Sequence, residues 1–293
     1  MAISLPMSSA FVFPETVHCS MEPIAVLLER LSTALPLAQK GDSVSVKTAR
    51  TTGRRLRVAL PLATAMLPQK LRQRLLDSTQ TLTRSLGVVR DLDAQQELLK
   101  AAEATATQDE HRGFAFALRV LEKRRTQAMK RVRRGKVGGK WLEQARQAQK
   151  ALLTVANEEP SATRAEVSLA AENALRFDTL IRDPKNITEL HELRIAVKRL
   201  RFTLSRFPET EKALKKSVAA LQTVLGTIHD LDILRLWLRG LESEKKRRLR
   251  PRRRERESLA ILRRRLQTER TQHYDSFRQQ WELALPTLQA LVL

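Results

Sequence analysis

Between residues 187 and 207 the apolar and charged positions recur with the period of an α-helix. Leu190, Leu193, Val197, Leu200, Leu204 and Phe207 are spaced by three and four, which at ~100° per residue gathers them on one face. His191, Arg194, Lys198 and Arg201 are spaced by three, four and three and form a second row beside the first. The pattern predicts a helix with one face in a core and a cationic row at its margin, near where helices meet. A charged row in that position is a candidate pocket wall. The same reading along the chain predicts helices near residues 22–39, 44–66, 69–86, 88–105, 110–134 and 140–156. A second group lies near 163–182, 187–206, 209–227, 229–249 and 253–284. Ala, Leu, Gln, Glu and Arg dominate, Gly is sparse, and little β-branched alternation is present, so the fold class is all-α. The segment 157–161 divides the two groups. Pro160 disfavours continuation of the preceding helix, and Ser161 or Thr163 offers a cap for the next.

The row of cations occurs twice. About 144 residues before His191, Lys47, Arg50, Arg54 and Arg57 repeat its spacing, with Lys47 in the place of His191. A second element repeats as well. Leu86, Gly87, Arg90, Asp91 and Asp93 match Leu225, Gly226, His229, Asp230 and Asp232 at an offset of 139 residues, in the same order relative to the first motif. A unit of about 140 residues is too long for a short solenoid repeat. It fits two similar helical lobes, residues 22–157 and 161–293, preceded by a poorly ordered arm over 1–21.

The His-x-x-Arg-x-x-x-Lys-Arg-Leu-Arg helix at 191–201, the Leu-Gly-x-x-(Arg/His)-Asp-x-Asp element and the internal duplication together resemble the CHAD family (conserved histidine α-helical domain). The resemblance spans roughly residues 22–293. In the first half Lys47 replaces the family's histidine, and Gly53 is expected to interrupt the helix. The resemblance implies two pseudo-symmetric four-helix-bundle lobes flanking a basic central cavity that binds inorganic polyphosphate. Carried over position by position, the binding set is Lys47, Arg50, Arg54, Arg57, His191, Arg194, Lys198 and Arg201. Lys47 keeps an anion site intact, since Lys is a cation at neutral pH.

Charge supports an anionic partner. The net charge is +22, and the two halves share it: residues 1–160 hold 26 Lys and Arg against 15 Asp and Glu, and residues 161–293 hold 28 against 17. A basic tail would place the excess at one end; here the repeated architecture carries it. The one cysteine, Cys19, excludes an intramolecular disulfide, which fits a reducing compartment. No Lys or Arg precedes the apolar stretch near the N-terminus, which counts against a secretory signal. No run reaches the ~20 apolar residues of a membrane span. A cytoplasmic protein, associated with polyphosphate granules, is the expectation.

The rows have a physical rationale as a binding surface. Four cations within three turns repel one another, and an anion relieves that repulsion. Arg194 to Arg201 spans about 10 Å at ~1.5 Å per residue, so a linear polyanion meets several side chains in succession. Arg grips phosphate oxygens bidentately and Lys acts as a point charge. The carboxylates of Asp91, Asp93, Asp230 and Asp232 invite a Mg²⁺ reading. Residues i and i+2 on a helix point apart, however, and pairing with nearby Arg and Lys is the stronger expectation. His191 has no second histidine at i+4, so hydrogen bonding to phosphate is expected of it rather than metal ligation. Glu242, Glu244 and Lys246 imitate the strand motif of triphosphate tunnel enzymes, but in a helical context. Residues 135–141 imitate a phosphate loop without its spacing or its strand.

Residues 245–256 form the densest basic run, with Pro251 marking a turn. They carry the alternative reading, a nucleic-acid-binding protein, although aromatics at 4% supply no stacking platform for single strands. A second alternative is an enzyme of phosphate metabolism or its accessory subunit. The sequence shows no nucleophile–base pair and no metal cluster. The leading expectation is therefore a non-enzymatic polyphosphate-binding protein that needs no cofactor.

Overall fold

The computed structural model describes residues 16–18, 23–64, 66–153, 161–207, 212–244 and 250–292 of the chain. The expected linker at 157–160, most of the expected arm over 1–21, and residues 245–249 of the basic run lie outside these. The described residues are almost wholly helical. In chain order they form β1 (Thr16–His18), α1 (Ile24–Lys40), α2 (Ser43–Leu62), α3 (Gln69–Glu103), α4 (His111–Arg134) and α5 (Val137–Leu152). Next come β2 (Ser161–Thr163), α6 (Arg164–Leu175), a 3-10 turn at Leu180–Arg182, α7 (Ile187–Ser205), α8 (Lys212–Glu242) and α9 (Arg253–Ala290). The two short strands pair antiparallel, with Thr16 opposite Thr163.

Two pairs of predicted helices are single helices. Those expected at 69–86 and 88–105 are α3, and those at 209–227 and 229–249 are α8, which ends at Glu242. The expected breaks sat at Gly87 and at Ile228, two residues past Gly226. A helix-interior glycine costs only about 1 kcal/mol, and burial of Leu86, Val89, Leu225 and Ile228 on either side outweighs that. The helix expected over 163–182 stops at Leu175. Thr163 occupies its N-cap position, but its side chain makes no capping bond.

The chain forms two compact units. One comprises residues 21–158 together with 238–263; the other comprises 1–20, 159–237 and 264–293. In the first, α2 packs on α1 and α3, and α3 packs on α4 and α5. Its core holds Leu28, Leu31, Leu35, Leu56, Leu60 and Trp141, all fully buried. The indole N–H of Trp141 donates to Thr79 Oγ1 at 2.8 Å, so the largest core side chain brings no unpaired donor. In the second unit α6 packs on α7, and Phe207, Phe277 and Trp281 are fully buried.

The start of α2 is fixed from several sides. Gly41 ends α1 with φ of 102°, a left-handed conformation that favours glycine. Asp42 caps α2, accepting from the Ser45 N–H at 2.7 Å, and its hydrogen bonding with Ser45 holds its carboxyl below the usual range. Arg125 and Arg133 of α4 donate to the carbonyls of Gly41 and Lys40, both at 2.7 Å. Those groups are orphan acceptors at the α1 terminus, so two cations satisfy them where the helix dipole favours positive charge.

Gly53 does not interrupt α2. It lies buried within the helix, and a Cβ there would stand 2.4 Å from the Thr83 methyl of α3. The residue is small because two helices touch at that point.

Candidate functional site

On α7 the expected division of faces is observed. All six stripe residues from Leu190 to Phe207 are at most 3% exposed. His191 and Arg194 are half-buried at the margin, while Lys198 and Arg201 are exposed. Arg201 Nη1 donates to Gln222 of α8 at 3.3 Å. The row thus runs from a sheltered end at His191 to an open end at Arg201.

At the sheltered end the structure adds a residue that the periodicity of α7 did not indicate. His229 of α8 faces His191, with Nδ1 to Nδ1 at 3.1 Å and the rings stacked at 4.3 Å between centroids. Burial, then the Arg194 guanidinium and His191, lower the His229 pKa to about 4. His229 is therefore neutral at pH 7. The bond requires a proton on one Nδ1 and none on the other, so a neutral accepting ring carries its proton on Nε2. His229 was visible in sequence only as the histidine that fills the slot of Arg90 in the repeated Leu-Gly motif.

In the other unit, α2 presents Lys47, Arg54 and Arg57 as exposed side chains and Arg50 as half-buried. Arg50 Nη2 reaches Asp91 Oδ1 of α3 at 3.3 Å. Its guanidinium crosses α3 at Gly87, where a Cβ would come within 3.4 Å of Arg50 Nε. Gly87 thus leaves room for a cation of the row, whereas its counterpart Gly226 has no neighbour within 4 Å of a Cβ. Where α7 and α8 oppose two histidines, the matched positions here hold Lys47 and Arg90, and Arg90 pairs with Glu97 at 3.3 Å.

The carboxylates of the repeated motif are engaged by arginine. Asp93 is buried and accepts from Arg125 Nε. Asp232 is buried and accepts from Arg270 Nε at 3.1 Å, from Arg270 Nη2 at 3.4 Å and from Arg235 at 3.1 Å. The expected pairing with cations holds for Asp91, Asp93 and Asp232. The second aspartate of each motif ties its helix to the unit interior, and Asp91 lies at the α2 row through Arg50. Among the described residues no three His, Cys, Asp or Glu side chains gather at one point. Glu242 pairs with Arg263 at 2.8 Å. Residues 137–141 begin helix α5 and form no phosphate loop.

Fold and site together define a helical protein with duplicated cationic helix faces, each set beside a core contact. The CHAD domain model matches residues 24–239 and again 181–289, and the chain belongs to the CHAD domain family. Members of that family are linked to polyphosphate binding and metabolism. Among solved structures, the CHAD domain from the plant Ricinus communis superposes with a TM-score of 0.61 at 21% identity, covering 88% of this chain and 89% of the other. PptA from Streptomyces chartreusis superposes with a TM-score of 0.61 at 14% identity, covering 88% and 96%. Comparison with curated proteins gave no match. Among the described residues no helix is long and apolar enough to cross a membrane.

Proposed function

We propose that this protein binds inorganic polyphosphate on the cationic rows of α7 and α2 and does not itself transform it. The observation that carries this reading is the α7 row: four cationic or hydrogen-bonding side chains at helical spacing, held beside a fully buried apolar stripe. Their backbone is fixed by packing, so the charges are pre-positioned and binding costs little ordering. Arg194 and Arg201 supply bidentate donors, Lys198 a point charge, and the histidine pair a neutral N–H donor. Asp91, Asp93 and Asp232 are held by Arg50, Arg125, Arg235 and Arg270, which favours structural roles for them over metal-dependent hydrolysis. In a cell that stores polyphosphate, a protein with this activity would sit at the stored polymer.

The test is a titration of wild type and an Arg194→Ala/Lys198→Ala variant with long-chain polyphosphate at moderate salt. Charge-assisted hydrogen bonds of about 1.5–3 kcal/mol each predict a loss of roughly tenfold or more per residue. A nucleic-acid competitor decides the rival reading. If duplex or single-stranded nucleic acid displaces polyphosphate at equal phosphate concentration, and neutralising Arg252, Arg253, Arg254 and Arg256 abolishes binding while the α7 variant retains it, the polyphosphate reading is wrong. Acids stand within and beside that run: Glu255 pairs with Arg119 at 3.0 Å and Glu257 with Arg253 at 2.9 Å, which weakens it as a polyanion track.

A further inference from the structure

The unit that contains α2 carries a second cationic helix face. Residues 123–134 of α4 hold seven Lys and Arg and no Asp or Glu. Arg125 and Arg133 are engaged by Asp93 and by the carbonyls at the α1 terminus. Arg124 and Arg131 stand seven residues apart, two turns along one side of α4, about 10 Å at ~1.5 Å per residue. Both line an open groove of about 360 Å³ between α3 and α4, with Val88, Leu92 and Ala128 as its apolar lining. The only carboxylate in that lining is Asp91, and Asp91 is the group that Arg50 Nη2 reaches at 3.3 Å. Arg50 therefore belongs to the α2 row and at the same time pairs with the acid on the groove wall. The α2 row and the groove are joined through this one ion pair.

We propose that a polyphosphate chain lying along α2 continues past Asp91 into the α3–α4 groove, where Arg124 and Arg131 hold it. The proposal rests on the polyphosphate reading and extends it from one helix face to a path across three helices. The groove suits an extended phosphate chain. Guanidinium groups two turns apart can each take non-bridging oxygens of separate phosphates. Apolar walls keep water from one side of the contact and strengthen the attraction. The like charges of α4 repel each other, and a bound anion relieves that repulsion. The prediction is a dependence on chain length: a short anion occupies one row, and only a long one gains from the groove.

The test compares tripolyphosphate with long-chain polyphosphate on the full-length protein. Three proteins are titrated: wild type, Arg124→Ala/Arg131→Ala, and a control that removes two exposed cations of the same unit away from the groove, Lys100→Ala/Arg112→Ala. The groove variant is expected to lose about tenfold in long-chain affinity and to change less than twofold for tripolyphosphate. The control is expected to change less than twofold for both. Arg124→Lys/Arg131→Lys is expected to restore much of the long-chain affinity. If wild type binds both ligands and the groove variant matches it on the long chain, the extension is wrong and the α2 and α7 assignment stands. Equal losses for the two ligands, or equal losses in the control, also overturn it, because they report bulk charge. If wild type binds neither ligand, the polyphosphate reading itself fails and the extension falls with it.

Discussion

Replacing Asp232 with Asn removes one negative charge with little change of volume, and the burial of its partner sets the cost. The Arg270 side chain is 4% exposed and that of Asp232 6%, and Asp232 accepts three hydrogen bonds from Arg270 and Arg235. With the charge gone, a guanidinium stays buried without its counter-ion. Breaking a buried pair from one side costs about 3–5 kcal/mol. At ~2–4 °C per kcal/mol for a domain of this size, Tm should fall by about 6–20 °C. Replacing both partners with apolar groups, Asp232→Leu with Arg270→Met, should recover most of the loss, because the desolvation cost leaves together with the attraction. Thermal and urea unfolding followed by circular dichroism at pH 7 measure wild type and both variants. Below the unfolding transition, polyphosphate affinity of Asp232→Asn should match wild type. A loss of stability under about 1 kcal/mol would refute the structural role. A stable variant whose polyphosphate binding loses a dependence on Mg²⁺ would make Asp232 a metal ligand instead.

Gly53→Ala should cost about 1–3 kcal/mol in unfolding free energy through overpacking against Thr83, although Ala is the better helix former. Adding Thr83→Ser removes the methyl in the way and should return most of it, while the hydroxyl keeps its bond to the Thr79 carbonyl. His229 should make stability pH-dependent. Its folded pKa of about 4 lies below the ordinary ~6.5, so between these values the unfolded chain binds more protons. Acidification through that window therefore destabilises the fold, by about 1–2 kcal/mol once partial solvent screening is allowed for. Comparing unfolding at pH 7 and pH 4.5 checks this, and an unchanged difference in His229→Gln would exclude His229 as the cause. Trp141→Phe should cost about 1–2 kcal/mol by leaving Thr79 Oγ1 without its buried donor, again read by urea unfolding.

What the chain reveals before folding is what local periodicity encodes. The apolar stripe from Leu190 to Phe207 is buried along its whole length, because spacing of three and four fixes which side chains share a helix face. The cationic rows stand beside the core for the same reason. Pairings across helices leave no such trace. His191 and His229 are 38 residues apart on different helices, and no spacing in the sequence links them. Gly53 and Gly87 read as helix interruptions because propensity treats glycine as a cost. The folded chain uses each for close approach, to Thr83 in one case and to the Arg50 guanidinium in the other. The groove beside α4 leaves no trace in a single helix's periodicity either, because α3 and α4 line it together.

The boundary of the first unit falls inside α8 and again inside α9, so the duplicated stretch of sequence and the compact body in space are out of phase. Ser258, from the returning segment, accepts from the Gly113 N–H at 2.7 Å and donates to the Asp109 carbonyl. Glu255 meets Arg119 alongside. A fragment ending at residue 158 would therefore lack a strut of its own fold, and the amide at Gly113 would lose its acceptor. Residues 21–158 are therefore not self-contained, since part of their packing comes from 238–263. Recombination at the apparent repeat junction would yield a frayed fragment, and a working half would have to be made by grafting residues 238–263 onto it.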